Sequence, residues 1–198
     1  MKGICRRVSV VVFCVLVFAA GMITAHAYAI LSLGGFSPYP TEVVSARGFS
    51  SEVNSAITKS CQAWNNAGVG TLVTRASYTH SNNTFPDEND ENQITAISEG
   101  TRTGFMTTEF TQYKIIGLKC YNTEVDININ TSFPWATNGD ERAYDVQNCF
   151  THELGHLLGL DDEANKTSST MYGSAELGET KKRSLAADDK NGIKEIYG

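Results

Sequence analysis

The chain has 198 residues, with 16 Lys+Arg against 22 Asp+Glu and a formal net charge of -6. Its first 30 residues carry Lys2, Arg6 and Arg7 and no acid; taking those three from 16 leaves 13 bases against 22 acids, so the remainder stands at -9. That balance excludes a phosphate-backbone binder, which needs a basic face. A content of 41% apolar and 19% charged residues excludes a disordered chain, and the length suits one domain rather than two.

Residues 1–27 read as an address. A basic start (Lys2, Arg6, Arg7) is followed by the apolar run Val8 to Ala20 and then by Ala25-His26-Ala27, an A-x-A site. This is the pattern of a secretory signal peptide, too short in its apolar part for a membrane span. The expectation is a leader over 1–27 and a single domain over 28–198, secreted or periplasmic, monomeric and free of the membrane once cleaved. An oxidising compartment favours a disulfide. Of Cys61, Cys120 and Cys149, three pairings are open.

Ser37 to Pro40 is turn-rich and reads as a surface lead-in. From Phe49 the period is helical: Phe49, Val53, Ile57, Cys61 and Trp64 share one stripe, with Ser50 or Ser51 as cap and Glu52 in the first turn. Asn65 to Gly68 ends that helix. Strands are expected over 71–78, 93–98 and 110–118, and over 125–130, where Val125, Ile127 and Ile129 alternate with Asp126, Asn128 and Asn130. Ser81 to Asn92 reads as a loop. Its acids Asp87, Glu88, Asp90 and Glu91 offer Ca2+ clustered oxygens but match no calcium-loop spacing, so a solvated loop is expected, with calcium as the alternative. A second helix starts at Asp145, with Val146, Phe150, Leu154, Leu157 and Leu158 as its core face, and stops at Gly159. A last helix begins near Ala186, with Asp188 and Asp189 in its first turn. Helix, strands, helix, helix implies an α+β domain.

The chemistry lies in His152-Glu153-Leu154-Gly155-His156-Leu157-Leu158-Gly159-Leu160-Asp161-Asp162. Two histidines four apart share a helix face, so both imidazoles can hold one Zn2+. Glu153, beside the first ligand, can take a proton from an attacking water and pass it to the leaving amine. A catalytic zinc takes a third protein ligand. Gly159 can turn the chain sharply and bring back Asp162, with Asp161 and Glu163 as local competitors. Chance occurrence of H-E-x-x-H in such a chain is on the order of 1%, and two of only 4 histidines form the pair.

With its G-x-x-D continuation and the later Thr170-Met171-Tyr172-Gly173, this stretch resembles the metzincin zinc peptidases, and among them the matrixins. The likeness extends to Val125–Asn130, Phe133-Pro134-Trp135 and Ala143–Val146 before the helix, and to Asp188–Ile193 and Ile196-Tyr197-Gly198 at the end. It implies a mostly parallel sheet with an antiparallel edge strand between Gly104 and Leu118, along which peptide substrates dock. It implies zinc on His152, His156 and Asp162, Glu153 as general base and acid, and Met171 as an apolar floor. Asp162 stands where matrixins usually carry His, as in snapalysin-type peptidases. A carboxylate there lowers the charge of the metal site and leaves its water less acidic. The stretch between leader and first helix is too short for a folded pro-segment, so latency would arise in another way. The family's structural-zinc histidines are not recognisable, and His80 is expected at the surface. Cys149 is expected to pair with Cys120, which would pin the active-site helix to the preceding strand. The rival function is a catalytically idle metzincin-like binding domain. The intact Glu153 argues against it.

Overall fold

The computed structural model describes residues 28–30, 35–116 and 119–198, apart from the side chains of residues 110, 111, 119 and 120. The leader over 1–27 and Leu118 lie outside the described residues. The elements in chain order are β1 (Thr41–Ala46), α1 (Ser51–Asn65), β2 (Val73–His80), β3 (Asn92–Thr95), β4 (Met106–Ile116), β5 (Lys119–Ile129), β6 (Trp135–Ala136), β7 (Tyr144–Asp145), α2 (Val146–Leu157) and α3 (Ala187–Tyr197), with a 3-10 turn at Lys181–Arg183. This is an α+β arrangement.

The main sheet runs β2-β1-β3-β5-β4. β1 is parallel to β2 and β3, β3 is parallel to β5, and only β4 is antiparallel, paired through Thr108↔Ile127 and Glu109↔Asp126. The antiparallel edge strand expected between Gly104 and Leu118 is therefore β4. The strand missed in the sequence is β1. Its Val43, Val44 and Ser45 are all buried, because a strand inside a parallel sheet has no solvent face and shows no alternation.

Helix α1 starts where its sequence dictates: Ser50 accepts from the Val53 N–H, and the chain leaves past Gly68 at φ +97. It packs on α2 through buried polar contacts. The Trp64 indole donates to the Thr151 carbonyl at 2.8 Å, and the Thr151 hydroxyl donates to Ser60 Oγ at 2.9 Å. The apolar stripe of α2 is closed off as expected, with Phe150, Leu154, Leu157 and Leu158 at 0% exposure. Each such side chain contributes about 1.5–3 kcal/mol of burial.

The loop over 81–92 is tied down by carboxylates of β5. Asp126 accepts the backbone N–H groups of Asp87 and Gln93, and Glu124 accepts those of Asn89 and Asp90. Burial pushes the Asp126 carboxyl up to about 6. Of the loop acids, Asp87 accepts the side-chain amides of Asn82 and Asn89, and Glu91 accepts the Gln93 amide and the Tyr78 hydroxyl; among the described residues the loop acids are not part of a set of three metal-ligating groups.

Two expectations are overturned. His80 is not at the surface: it is buried at the end of β2, with its Nε2 3.0 Å from the Ile94 carbonyl. Cys149 pairs with neither Cys120 nor Cys61. Cys61 and Cys149 are both free and buried, as small apolar residues. Burial pushes the Cys61 thiol up to about 12 and raises that of Cys149 as well.

The start of α2 is held from two sides. Asp145 caps the Asn148 N–H at 2.9 Å and takes a forked bond from Arg183 at 2.9 and 2.5 Å, with its own side chain fully buried. Asp145→Ala removes a cap and strands a partly buried guanidinium. It is expected to lower the unfolding free energy by about 3 kcal/mol, read as a lower urea midpoint at unchanged slope; an unchanged midpoint refutes this account.

Candidate metal centre

Three lone-pair atoms converge in front of α2. His152 Nε2 and His156 Nε2 are 3.2 Å apart, and Asp162 Oδ1 lies 3.3 Å from the first and 3.7 Å from the second. Tetrahedral zinc with bonds of about 2.0–2.1 Å has ligand–ligand edges of roughly 3.3–3.4 Å. The observed triangle fits that ion in size and in chemistry, with two borderline nitrogens and one carboxylate. Among the described residues it is the one set of at least three such groups gathered within 4.8 Å.

The sequence explains why these atoms point inward. Leu160 N–H bonds the Gly155 carbonyl and Gly159 N–H bonds the His156 carbonyl, both at 2.9 Å, with Gly159 at φ +98. This is the paired bonding of a glycine-ended helix, and the left-handed residue in it turns the chain back across the helix end. The returning chain presents Asp162, while Asp161 uses its carboxylate to accept the Asp162 N–H at 2.8 Å. Each imidazole then uses its other nitrogen on backbone: His156 Nδ1 meets the Leu160 carbonyl and His152 Nδ1 meets the Thr170 carbonyl, both at 2.9 Å. A carbonyl only accepts, so both protons sit on Nδ1 and both Nε2 lone pairs face the centre.

Glu153 is 6% exposed and opens onto the same cleft. The cleft is about 340 Å³, and Gly104 to Glu109, at the free edge of β4, form one wall. From that wall Thr108 Oγ1 donates to Glu153 Oε2 at 2.6 Å. One carboxylate oxygen is thus fixed and the other is left for chemistry. Nothing in the sequence pointed to Thr108, because its partner is 45 residues away.

Met171, expected as the floor, is 3% exposed and lies against α2 at Gly155. Its turn is secured by Asp189 of α3. One carboxylate oxygen accepts the Ser169 hydroxyl at 2.6 Å and the Met171 N–H at 3.3 Å, and the other accepts the Thr170 N–H at 2.9 Å. Asp189, read from sequence as a first-turn acid, is also the support of the floor. The floor touches α2 at a glycine: a Cβ on Gly155 would lie 2.2 Å from Met171 Sδ and 2.9 Å from the Trp64 ring.

The matrixin family model matches residues 50–198, and the chain belongs to that family. Over 77 residues it is 35% identical to Metalloendoproteinase 1-MMP of Arabidopsis thaliana, covering 36% of this chain and 21% of that protein. Over 70 residues it is 37% identical to Metalloendoproteinase 1 of Glycine max, covering 32% of this chain and 22% of that protein. The chain thus spans about a fifth of the length of these curated relatives. Among solved structures it is similar to high choriolytic enzyme 1, a hatching enzyme zinc-protease of the medaka Oryzias latipes. That match has a TM-score of 0.40 at 14% identity over 79% of this chain and 88% of the other.

Gly155→Ala places a methyl inside the Met171 contact. It is expected to destabilise the protein by about 1–3 kcal/mol and to lower the melting temperature. A melting temperature equal to that of the parent protein would refute the close packing of floor on helix.

Proposed function

We propose that this chain is a secreted zinc-dependent endopeptidase in which His152, His156 and Asp162 hold the ion and Glu153 is the general base and then the acid. The carrying observation is the triangle of three unprotonated donor atoms with edges of 3.2 to 3.7 Å, each imidazole oriented by a backbone carbonyl. Bound there, zinc supplies Lewis-acid polarisation of the scissile carbonyl and lowers the pKa of a water.

The chain's own groups do the rest. The free edge of β4 offers backbone groups to an extended peptide, which adds as a further strand and so lies across the cleft. Glu153, anchored by Thr108, takes the proton of the attacking water on its free oxygen and returns it to the leaving nitrogen. Leu157, Leu158, Leu160 and Met171, all buried, keep bulk water from the back of the imidazoles and so strengthen the local electrostatics. Export is supported by the basic start, apolar run and A-x-A site of residues 1–27. Among the described residues, no helix is long and apolar enough to cross a membrane.

The purified domain should hold one zinc per chain by elemental analysis and lose casein cleavage with a chelator. Glu153→Gln should keep the zinc and lower cleavage by at least about 100-fold; a variant that cuts casein at the parent rate refutes the mechanism. Asp162→Ala should release zinc at chelator concentrations that the parent protein withstands, and equal retention would remove Asp162 from the ligand set. Thr108→Val, which leaves Glu153 Oε2 without its donor, should lower kcat several-fold with KM little changed, and Thr108→Ser should recover most of it. No change in kcat would mean that the hydroxyl does not serve the base.

A further inference from the structure

The cleft is also lined by a charged group that the proposed chemistry does not use. Lys182, in the 3-10 turn, is 3% exposed and lines the cleft together with His152, Cys149 and Ala175. Its backbone N–H donates to Asn148 Oδ1 at 2.8 Å, which fixes the turn against α2 one helical turn ahead of His152. Its ammonium donates to the carbonyls of Tyr172 and Ser174, the latter at 2.9 Å. These carbonyls belong to the segment that leaves the Met171 turn.

Both acceptors are neutral, and they use two of the three ammonium protons. Among the described residues no carboxylate forms an ion pair with Lys182. Lysine is almost never buried without a counter-charge. Here burial draws the ammonium below the ordinary lysine range, and Glu179 and Glu153 oppose this only as neighbouring charges. Cys149 supplies no anion either, since burial raises its thiol. The cleft lining therefore includes a desolvated cation without a carboxylate partner, held by two carbonyls and lying 5.9 Å from the centre of the Tyr172 ring.

We infer that Lys182 is a specificity-determining residue, and that the subsite it floors takes an acidic side chain, Glu or Asp, of the peptide lying in the cleft. An apolar side chain placed there would finish desolvating the ammonium without pairing it. A carboxylate supplies the missing charge and accepts an ammonium proton in a charge-assisted bond, which is stronger than a cation–π contact. The inference rests on the peptidase reading for what enters the cleft, and its test separates the two.

The catalytically silenced Glu153→Gln protein, zinc-loaded, is titrated calorimetrically with blocked Gly-Ala hexapeptides that carry a single Glu or a single Gln, scanned through the sequence. At one position the Glu peptide is expected to bind about tenfold more tightly than its Gln twin. Adding Lys182→Met should bring the twins level, and Lys182→Arg, which keeps the charge, should restore the preference. Absence of a Glu preference at every position overturns the inference. So does a preference that survives Lys182→Met, or a loss that weakens both twins by one factor, as a purely structural lysine would produce. The unsilenced protein, given the same peptides, should show the same ratio in kcat/KM. If it cuts none of them, the peptidase reading fails while the binding ratio still decides the role of Lys182.

Discussion

The proposed metal centre depends on two hydrogen bonds that lie outside its triangle of ligand atoms. The Nδ1 protons of His152 and His156 are committed to the carbonyls of Thr170 and Leu160. Were either imidazole free to turn or to move its proton, one lone pair would leave the triangle and the Asp162 carboxylate would face a donor rather than a shared ion. Both carbonyls belong to segments C-terminal to α2. The geometry of the helix pair is therefore completed by chain that folds back over it, first at Gly159 and then at Met171.

That dependence links elements far apart in sequence. Asp145 and Arg183 set where α2 begins, Ser60 and Trp64 set how it lies on α1, and Asp189 holds the turn whose carbonyl orients His152. The sheet contributes its edge. β4 brings Thr108 to Glu153, so the edge strand of the sheet also holds the proposed base. These contacts join side chains to one another and to backbone in buried or partly buried settings, where an unmade bond is costly. The constellation is thus placed by rigid elements rather than by loops alone.

Much of this was legible in the sequence, for physical reasons that can be named. The α2 cap at Asp145, its apolar stripe and its stop at Gly159 are local signals. The His152–Glu153–His156 spacing and the return to Asp162 follow from helix periodicity and one left-handed residue. β1 was not legible, because a strand buried on both faces shows no alternation. His80 was misread because its Asn-rich neighbourhood resembles surface loop, whereas the sheet carries the ring inside to the Ile94 carbonyl. The expected Cys120–Cys149 bridge reflected the compartment rather than the packing; Cys149 is a free, buried thiol in the lining of the cleft. Thr108, Lys182 and the bracing role of Asp189 act across long stretches of chain, which no short pattern encodes.

Asp189 spends both carboxylate oxygens on the segment whose Thr170 carbonyl orients His152, while also accepting the Ala186 N–H at the head of α3. One side chain is therefore at once the brace of the final helix and the brace of the floor. Fraying of the C-terminal turns and loosening of the ion's seat become a single cooperative event. The tail of the chain, remote from any bond being broken, governs how long the centre stays assembled.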